Sequence, residues 1–269
     1  QAQRRNEIQV PDLDGYTTLK CDFHMHTVFS DGLVWPTVRV DEAYREGLDA
    51  ISLTEHIEYR PHKKDVVADH NRSFDLCQKQ AEKLGILLIR GSEITRPMAP
   101  GHFNAIFLAD SNPLEQKEYK YAFNEAKKQG AFIFWNHPGW AAQQPDTTKW
   151  WLEHTELYNE GCMHGIEVAN GPLYMPEAVQ WCLDKNLTMI GTSDITAVSR
   201  GQETTIPRRC HVPHAKTWPT TGTKNHRSRL RNFINNTLFN RLQVNIPRSR
   251  NHEQLKAVSD MLVFQNHGN

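Results

Sequence analysis

Seven short apolar-rich runs, at 19–23, 50–53, 86–89, 103–108, 131–135, 165–168 and 187–190, alternate with stretches of helical period. Apolar side chains at successive positions, rather than at every second one, need cover on both faces of a strand. Parallel strands packed between helices have that cover. Pro36 starts the first expected helix, 36–46, and Gly47 stops it. Phe74, Cys77, Ala81 and Leu84 share a face of the second, which Gly85 ends; Tyr119, Phe123 and Ala126 share a face of the third, ahead of Gly130. Trp150, Trp151, His154 and Leu157 mark a fourth helix, and Pro176, Ala178, Cys182 and Leu183 a fifth, with these faces read as core. Repeated strand–helix units without a glycine-rich phosphate loop predict an α/β barrel rather than an open doubly wound sheet. The 269 residues suit one such barrel at 16–215, after a lead-in at 1–15 and before a basic segment at 216–269 that carries a last helix at 253–261.

Formal net charge is zero, but the charge is unevenly spread. Residues 204–252 hold ten Lys and Arg and no Asp or Glu, which leaves 20 basic and 29 acidic side chains in 1–203. A basic segment behind an acidic body attracts phosphate groups or docks on acidic surface, and a solvated tail is the plainer expectation. No apolar run reaches the length of a membrane span, so no membrane partner is expected. Cys21, Cys77, Cys162, Cys182 and Cys210 are odd in number and form no C-x-x-C pair, which argues against a disulfide framework or a zinc–thiolate site and for small core residues. The chain begins at Gln1, as a processed or cut chain would. A cytoplasmic and an exported location, the latter after signal removal, both stay open.

The polar residues that interrupt the apolar pattern fall at strand ends. Asp22-Phe23-His24-Met25-His26 closes the first strand, and residues two apart on extended backbone point to one side. Two adjacent imidazoles make a costly core and a ready clamp for a divalent cation. Asp31 follows on a turn before Gly32. His56 follows the second strand, Glu93 the third and His137 the fifth; His102 opens the fourth, and Asp194 follows the last. Any one of them alone would be a satisfied histidine, a cap or a turn residue more often than a ligand. Together, at strand ends that meet on one barrel face, they predict a site for first-row divalent ions held by imidazole and carboxylate.

These segments, D-F-H-M-H-T-V-F-S-D-G, I-S-L-T-E-H, G-S-E-I-T, G-H-F-N, W-N-H-P and G-T-S-D, resemble the PHP (polymerase and histidinol phosphatase) family of metal-dependent phosphoesterases. They span about residues 18–198, in the family's order. The resemblance implies a distorted (β/α)7 TIM-like barrel with two or three ions of Zn, Mn or Fe. It implies that His24, His26, Glu93 and Asp194 hold one ion, that Glu93, His102 and His137 hold a second, and that Asp31 and His56 hold a third. In one respect the chain departs from the family: the last motif reads Asp194-Ile195-Thr196, with no histidine after the aspartate, so the third ion lacks a ligand unless another group such as His211 replaces it. Lys216 to Gly222 also fits poorly the apolar strand with which the family often closes.

The reaction expected on this basis is hydrolysis of a phosphomonoester or small phosphodiester by a hydroxide held between ions. Asp194 would orient the nucleophile, and His56 or His211, where free of metal, would protonate the leaving oxygen. Arg200, Arg60 and Arg96 are the candidates for gripping a small phosphorylated substrate, since guanidinium suits bidentate phosphate contacts. A nuclease acting on DNA or RNA is the alternative, weakened by the neutral net charge and by the lack of clustered aromatics on the basic segment. An amidohydrolase-like metal hydrolase shares the first His-x-His and the late Asp, but not Ser-Asp-Gly, Thr-Glu-His and Asn-His-Pro. A non-catalytic metal-binding module would differ only in lacking an open coordination position.

Overall fold

β1 (Thr17–Asp22), β2 (Ala50–Leu53) and β3 (Leu87–Thr95) run parallel as neighbours, linked by α1 (Pro36–Glu46) and α2 (Arg72–Leu84). The computed structural model describes residues 4–10, 12, 17–67, 69–198 and 241–244. The expectations for Arg200, His211 and the last helix therefore lie outside the described residues, as does most of the basic segment. β4 (His102–Ile106) departs from the expected pattern. It follows β3 without an intervening helix and pairs antiparallel to it, Glu93 opposite Asn104 and Thr95 opposite His102. After a short 3-10 turn and α3 (Tyr119–Lys128), β5 (Phe132–Trp135) pairs antiparallel to β4 and parallel to β6 (Gly165–Asn170). α4 (Leu152–Asn159) joins β5 to β6. β7 (Leu173–Tyr174) is a short hairpin partner of β6. α5 (Pro176–Lys185) leads to β8 (Thr188–Thr192), parallel to β6. β9 (Arg241–Val244) adds antiparallel to the outer edge of β1.

The mixed sheet curls until its ends meet at the mouth. Met25 and Ile195, just beyond β1 and β8, form a parallel bridge, with the His26 N–H donating to the Ile195 carbonyl at 3.0 Å. All seven expected strands are present in this α/β barrel. Its distortion lies in the reversed β4, which turns the start of that strand toward the face where its neighbours end. His102 therefore reaches the same mouth as residues that follow parallel strands.

The core forms in layers. Cys21, Phe23, Ile89, Ile106, Phe132, Phe134 and Ile190 cluster inside the curl, beneath the mouth. Val40, Ala43, Leu53, Cys77 and Ala81 seal α1 and α2 against it, while Phe103, Phe123, Trp135, Leu157 and Ala178 seal the other side. Cys21, Cys77, Cys162 and Cys182 are buried and free, as small core residues. Trp151 and Leu183 correct the expected helix faces. Trp151 caps α4 from outside and is 40% exposed, and Leu183 on α5 is 41% exposed. α4 packs through His154 and Leu157 of its expected face.

Candidate metal centre

The β1 strand ends into the mouth with His24 and His26 on one side and Met25 on the other, where Met25 joins the apolar layer under α1. Both imidazoles are buried. The turn carrying Asp31 folds back tightly: the Ser30 and Gly32 N–H groups donate to the Thr27 carbonyl. A Cβ on Gly32 would lie 2.5 Å from the Thr27 nitrogen, so this turn requires glycine. Glu93 is not beyond β3 but within it, since the strand continues through the polar run to Thr95. His137 and Asp194 both have left-handed backbone, φ 31° and φ 52°, a conformation costly for non-glycine residues and common at functional sites.

Four ligand-type atoms converge. His24 Nε2 lies 3.3 Å from both Glu93 Oε2 and Asp194 Oδ1; His26 Nε2 lies 3.3 Å from Glu93 Oε2 and 3.2 Å from Asp194 Oδ1. Corners of a tetrahedron whose centre is ~2.0–2.1 Å from each are separated by ~3.3 Å, so this spacing is that of four ligands around one transition-metal ion. A second group adjoins it through Glu93, whose Oε1 is 2.8 Å from His102 Nδ1 and 3.9 Å from His137 Nε2. A third comprises His26, Asp31 and His56, with His56 Nε2 3.5 Å and His26 Nδ1 3.7 Å from Asp31 Oδ1. It assembles without Thr196, whose carbonyl instead accepts the Leu33 N–H on the closing seam.

Polar atoms in the interior are ordinarily paired. Here His26 Nε2, Asp31 Oδ1, Glu93 Oε1, His102 Nδ1 and His137 Nδ1 are all buried without a hydrogen-bond partner. The His102 and Glu93 atoms are close but not aligned to bond. Four of these, on His26, Asp31, Glu93 and His102, are atoms that face the ligand groups above and fit divalent cations as their missing partners. The electrostatics point the same way. Burial opposes charge on His24, but Asp194, Glu167 and Glu93 outweigh it and lift its pKa well above normal. Burial likewise opposes a charged His56, yet Glu93 and Asp31 raise it to about 10. Burial disfavours the Glu93 carboxylate, but His56 and His24 hold it well below the usual range. His137 goes the other way, its burial outweighing the carboxylates around it. The cluster therefore concentrates negative charge that needs a cationic counterpart.

Three supporting residues are not among the candidates singled out from the sequence. Glu167, in the middle of β6, is fully buried and accepts four hydrogen bonds: from His24 Nδ1 at 2.7 Å, Thr192 Oγ1 at 2.6 Å, the His137 N–H at 2.7 Å and Asn170 Nδ2 at 2.8 Å. Its one available signal is a lone carboxylate inside an otherwise apolar strand. Glu55 accepts from the Thr27 N–H and from the Thr27 and Ser30 hydroxyls, bracing the loop that leads to Asp31. Arg39 on α1, also fully buried, donates to the carbonyls of His26, Ile195 and Ala197 and pairs with Glu42 at 2.6 Å.

Of the candidate phosphate contacts, Arg60 and Arg96 are described, and both are engaged. Arg96 pairs with Glu58 at 2.7 Å and donates to the Gln116 and Lys117 carbonyls; Arg60 lies 3.6 Å from Glu115. Two exposed aromatic rings flank the centre. Trp140 meets His137 and His102 at 5.2 and 5.6 Å between centroids, and Tyr59 meets His56 at 5.7 Å. Among the described residues no helix is long and apolar enough to cross a membrane.

The PHP domain model matches residues 22–166, more than half of the chain. The chain is similar to a two-domain protein from Bacteroides vulgatus ATCC 8482 containing a predicted PHP-like metal-dependent phosphoesterase, 88% identical, with a TM-score of 0.72, covering 73% of this chain and 57% of that one. A Bifidobacterium adolescentis ATCC 15703 structure shares the fold at 16% identity and a TM-score of 0.53, covering 70% of this chain and 91% of that one. A 5′-3′ exoribonuclease of Haemophilus influenzae Rd is 35% identical over 78 residues, 29% of this chain. The chain spans 24% of that curated relative and 57% of the Bacteroides protein. The motifs, the curled barrel and the family match agree, and the chain belongs to the PHP domain family.

Proposed function

We propose that the chain is a metal-dependent phosphoesterase acting on a small phosphate ester. The observation that carries this reading is the set of four ligand-type atoms, on the buried His24, His26 and Glu93 and the partly exposed Asp194, held 3.2–3.3 Å apart in the pairs given above. In this reading those residues hold one ion of Zn, Mn or Fe; Glu93, His102 and His137 hold a second; and Asp31 and His56, beside His26, hold a third. Bound divalent ions would acidify water and neutralise charge on the phosphoryl oxygens. Asp194 Oδ2 also meets Asn170 Nδ2 at 3.3 Å, which aims a ligand carboxylate that can orient the attacking water. His56 protonates the leaving oxygen only when it is not itself a ligand, and His211 is the other proposed acid. Arg60, Arg96 and Arg200 remain the proposed contacts to substrate phosphate.

Tyr59 and Trp140 give the mouth an apolar wall, 53% and 40% exposed, suited to a leaving group with a flat or hydrophobic face. The exoribonuclease likeness favours a second reading, cleavage of RNA phosphodiesters, in which those rings would stack on bases. The test measures metal per chain alongside turnover of aryl phosphates, phosphodiesters and short RNA, before and after chelation. Turnover of a small ester that disappears on chelation and returns with metal supports the first reading. Turnover confined to RNA transfers the proposal to the second, and chelator-insensitive turnover removes both.

A further inference from the structure

We infer that Glu167 is the positioning residue for three of the candidate ligands: it sets the tautomer of His24 and ties together the supports of His24, His137 and Asp194. This rests on the metal reading above. Each carboxylate oxygen accepts two bonds. Oε1 takes His24 Nδ1 and Thr192 Oγ1; Oε2 takes the His137 N–H and Asn170 Nδ2. A carboxylate has about four acceptor positions and no donor, so all four positions are filled and each partner must donate. His24 must then carry its proton on Nδ1, which leaves the Nε2 lone pair facing Glu93 and Asp194. The bond to the His137 N–H holds a residue whose φ of 31° would otherwise relax. Asn170 passes the restraint on, with its second contact at Asp194 Oδ2. His24, His137 and Asp194 also lie close enough to hold an ion among themselves, and no residue of that trio is adjacent to another in sequence.

Glu167→Gln keeps the size but puts an amide NH2 where an acceptor is required. Facing His24 it would force the proton onto Nε2 and block that ligand; facing His137 it would oppose two donors. Zinc titration of the full chain, read by calorimetry and by metal content after dialysis, should show one binding step weakened roughly 10–100-fold while another is kept. Thr192→Val leaves the carboxylate in place and should bind zinc nearly as the parent does. Nitrogen-15 histidine spectra of the zinc-loaded parent should show His24 protonated on Nδ1 and ligating through Nε2. This readout needs no variant and is indifferent to a purely packing role. Equal zinc isotherms for the parent and Glu167→Gln, or His24 ligating through Nδ1, would overturn the inference while leaving the metal reading intact. A parent chain that takes up no zinc, manganese or iron overturns both.

Discussion

Asp194 is joined to His24 twice: its backbone N–H donates to the His24 carbonyl at 2.9 Å, and its Oδ1 lies 3.3 Å from His24 Nε2. The seam that closes the curled sheet and the centre of the ligand cluster are thus the same place. Candidate ligands that follow the first and the last strand of the ring become neighbours only because that ring closes. Loosening the seam should therefore degrade the site.

Glu93 is the acidic residue shared by two of the ligand groups, each of which contains a buried carboxylate oxygen of that side chain. Glu93→Ala and His24→Ala should each cut phosphate-ester turnover by more than ~100-fold, beyond the usual loss from an outer-shell partner, and lower bound metal per chain. Full activity in either variant would remove that residue from the centre.

Arg39 fastens the seam from outside through the His26, Ile195 and Ala197 carbonyls. Removing one member of a buried pair costs about 3–5 kcal/mol, because the partner charge and the acceptors are left unmet. Arg39→Met should lose stability of that order in urea unfolding and weaken metal retention with it. A loss under ~1 kcal/mol, the scale of an exposed pair, would show that the seam closes without the arginine.

His154 predicts an acid sensitivity unrelated to metal. Its Nδ1 accepts the Trp151 N–H and its Nε2 donates to the Pro100 carbonyl, so the folded ring is neutral, and burial lowers its pKa from 6.5 to about 4. Above pH 6.5 neither state is protonated and its contribution is complete. As the pH falls from about 6.5 to about 4, the unfolded imidazole takes up a proton that the folded one refuses, and roughly 3 kcal/mol is lost. His154→Gln, which can also accept and donate, should flatten stability over that interval in denaturant titrations of metal-free protein. An unchanged slope would assign the acid loss elsewhere.

Trp140 leans on the His137 and His102 imidazoles and is 40% exposed. If it forms the wall for a flat leaving group, Trp140→Ala should raise KM for aryl phosphates about 5–100-fold, by the ~1–3 kcal/mol of one stacked ring. KM for a small alkyl phosphate should move much less. Equal effects on both esters would make the ring a mere cover for the histidines.

Each expected strand exists because its cue is local. An apolar run with helices on either side has few other ways to hide both faces. The candidate ligands were legible for a related reason: His24, His26, His56, His137 and Asp194 are polar residues placed where apolar runs stop. Glu93 was found by its motif but misplaced, since a polar run such as Gly91-Ser92-Glu93 reads as a loop when it is in fact a strand whose polar side faces other polar groups. Glu167 was missed because a single carboxylate in an apolar strand is understood only once its four donors are in view.

The order of strands and helices and the kinds of ligand atom were set by the linear chain, through short-range periodicity and the types of side chain at strand ends. β4 runs backward because the 96–101 connection from β3 is too short for a parallel crossover; which of the other side chains meet at the mouth was decided by sheet curvature and ring closure. Those depend on pairings between segments more than a hundred residues apart, such as Met25 with Ile195, for which no local pattern carries a signal.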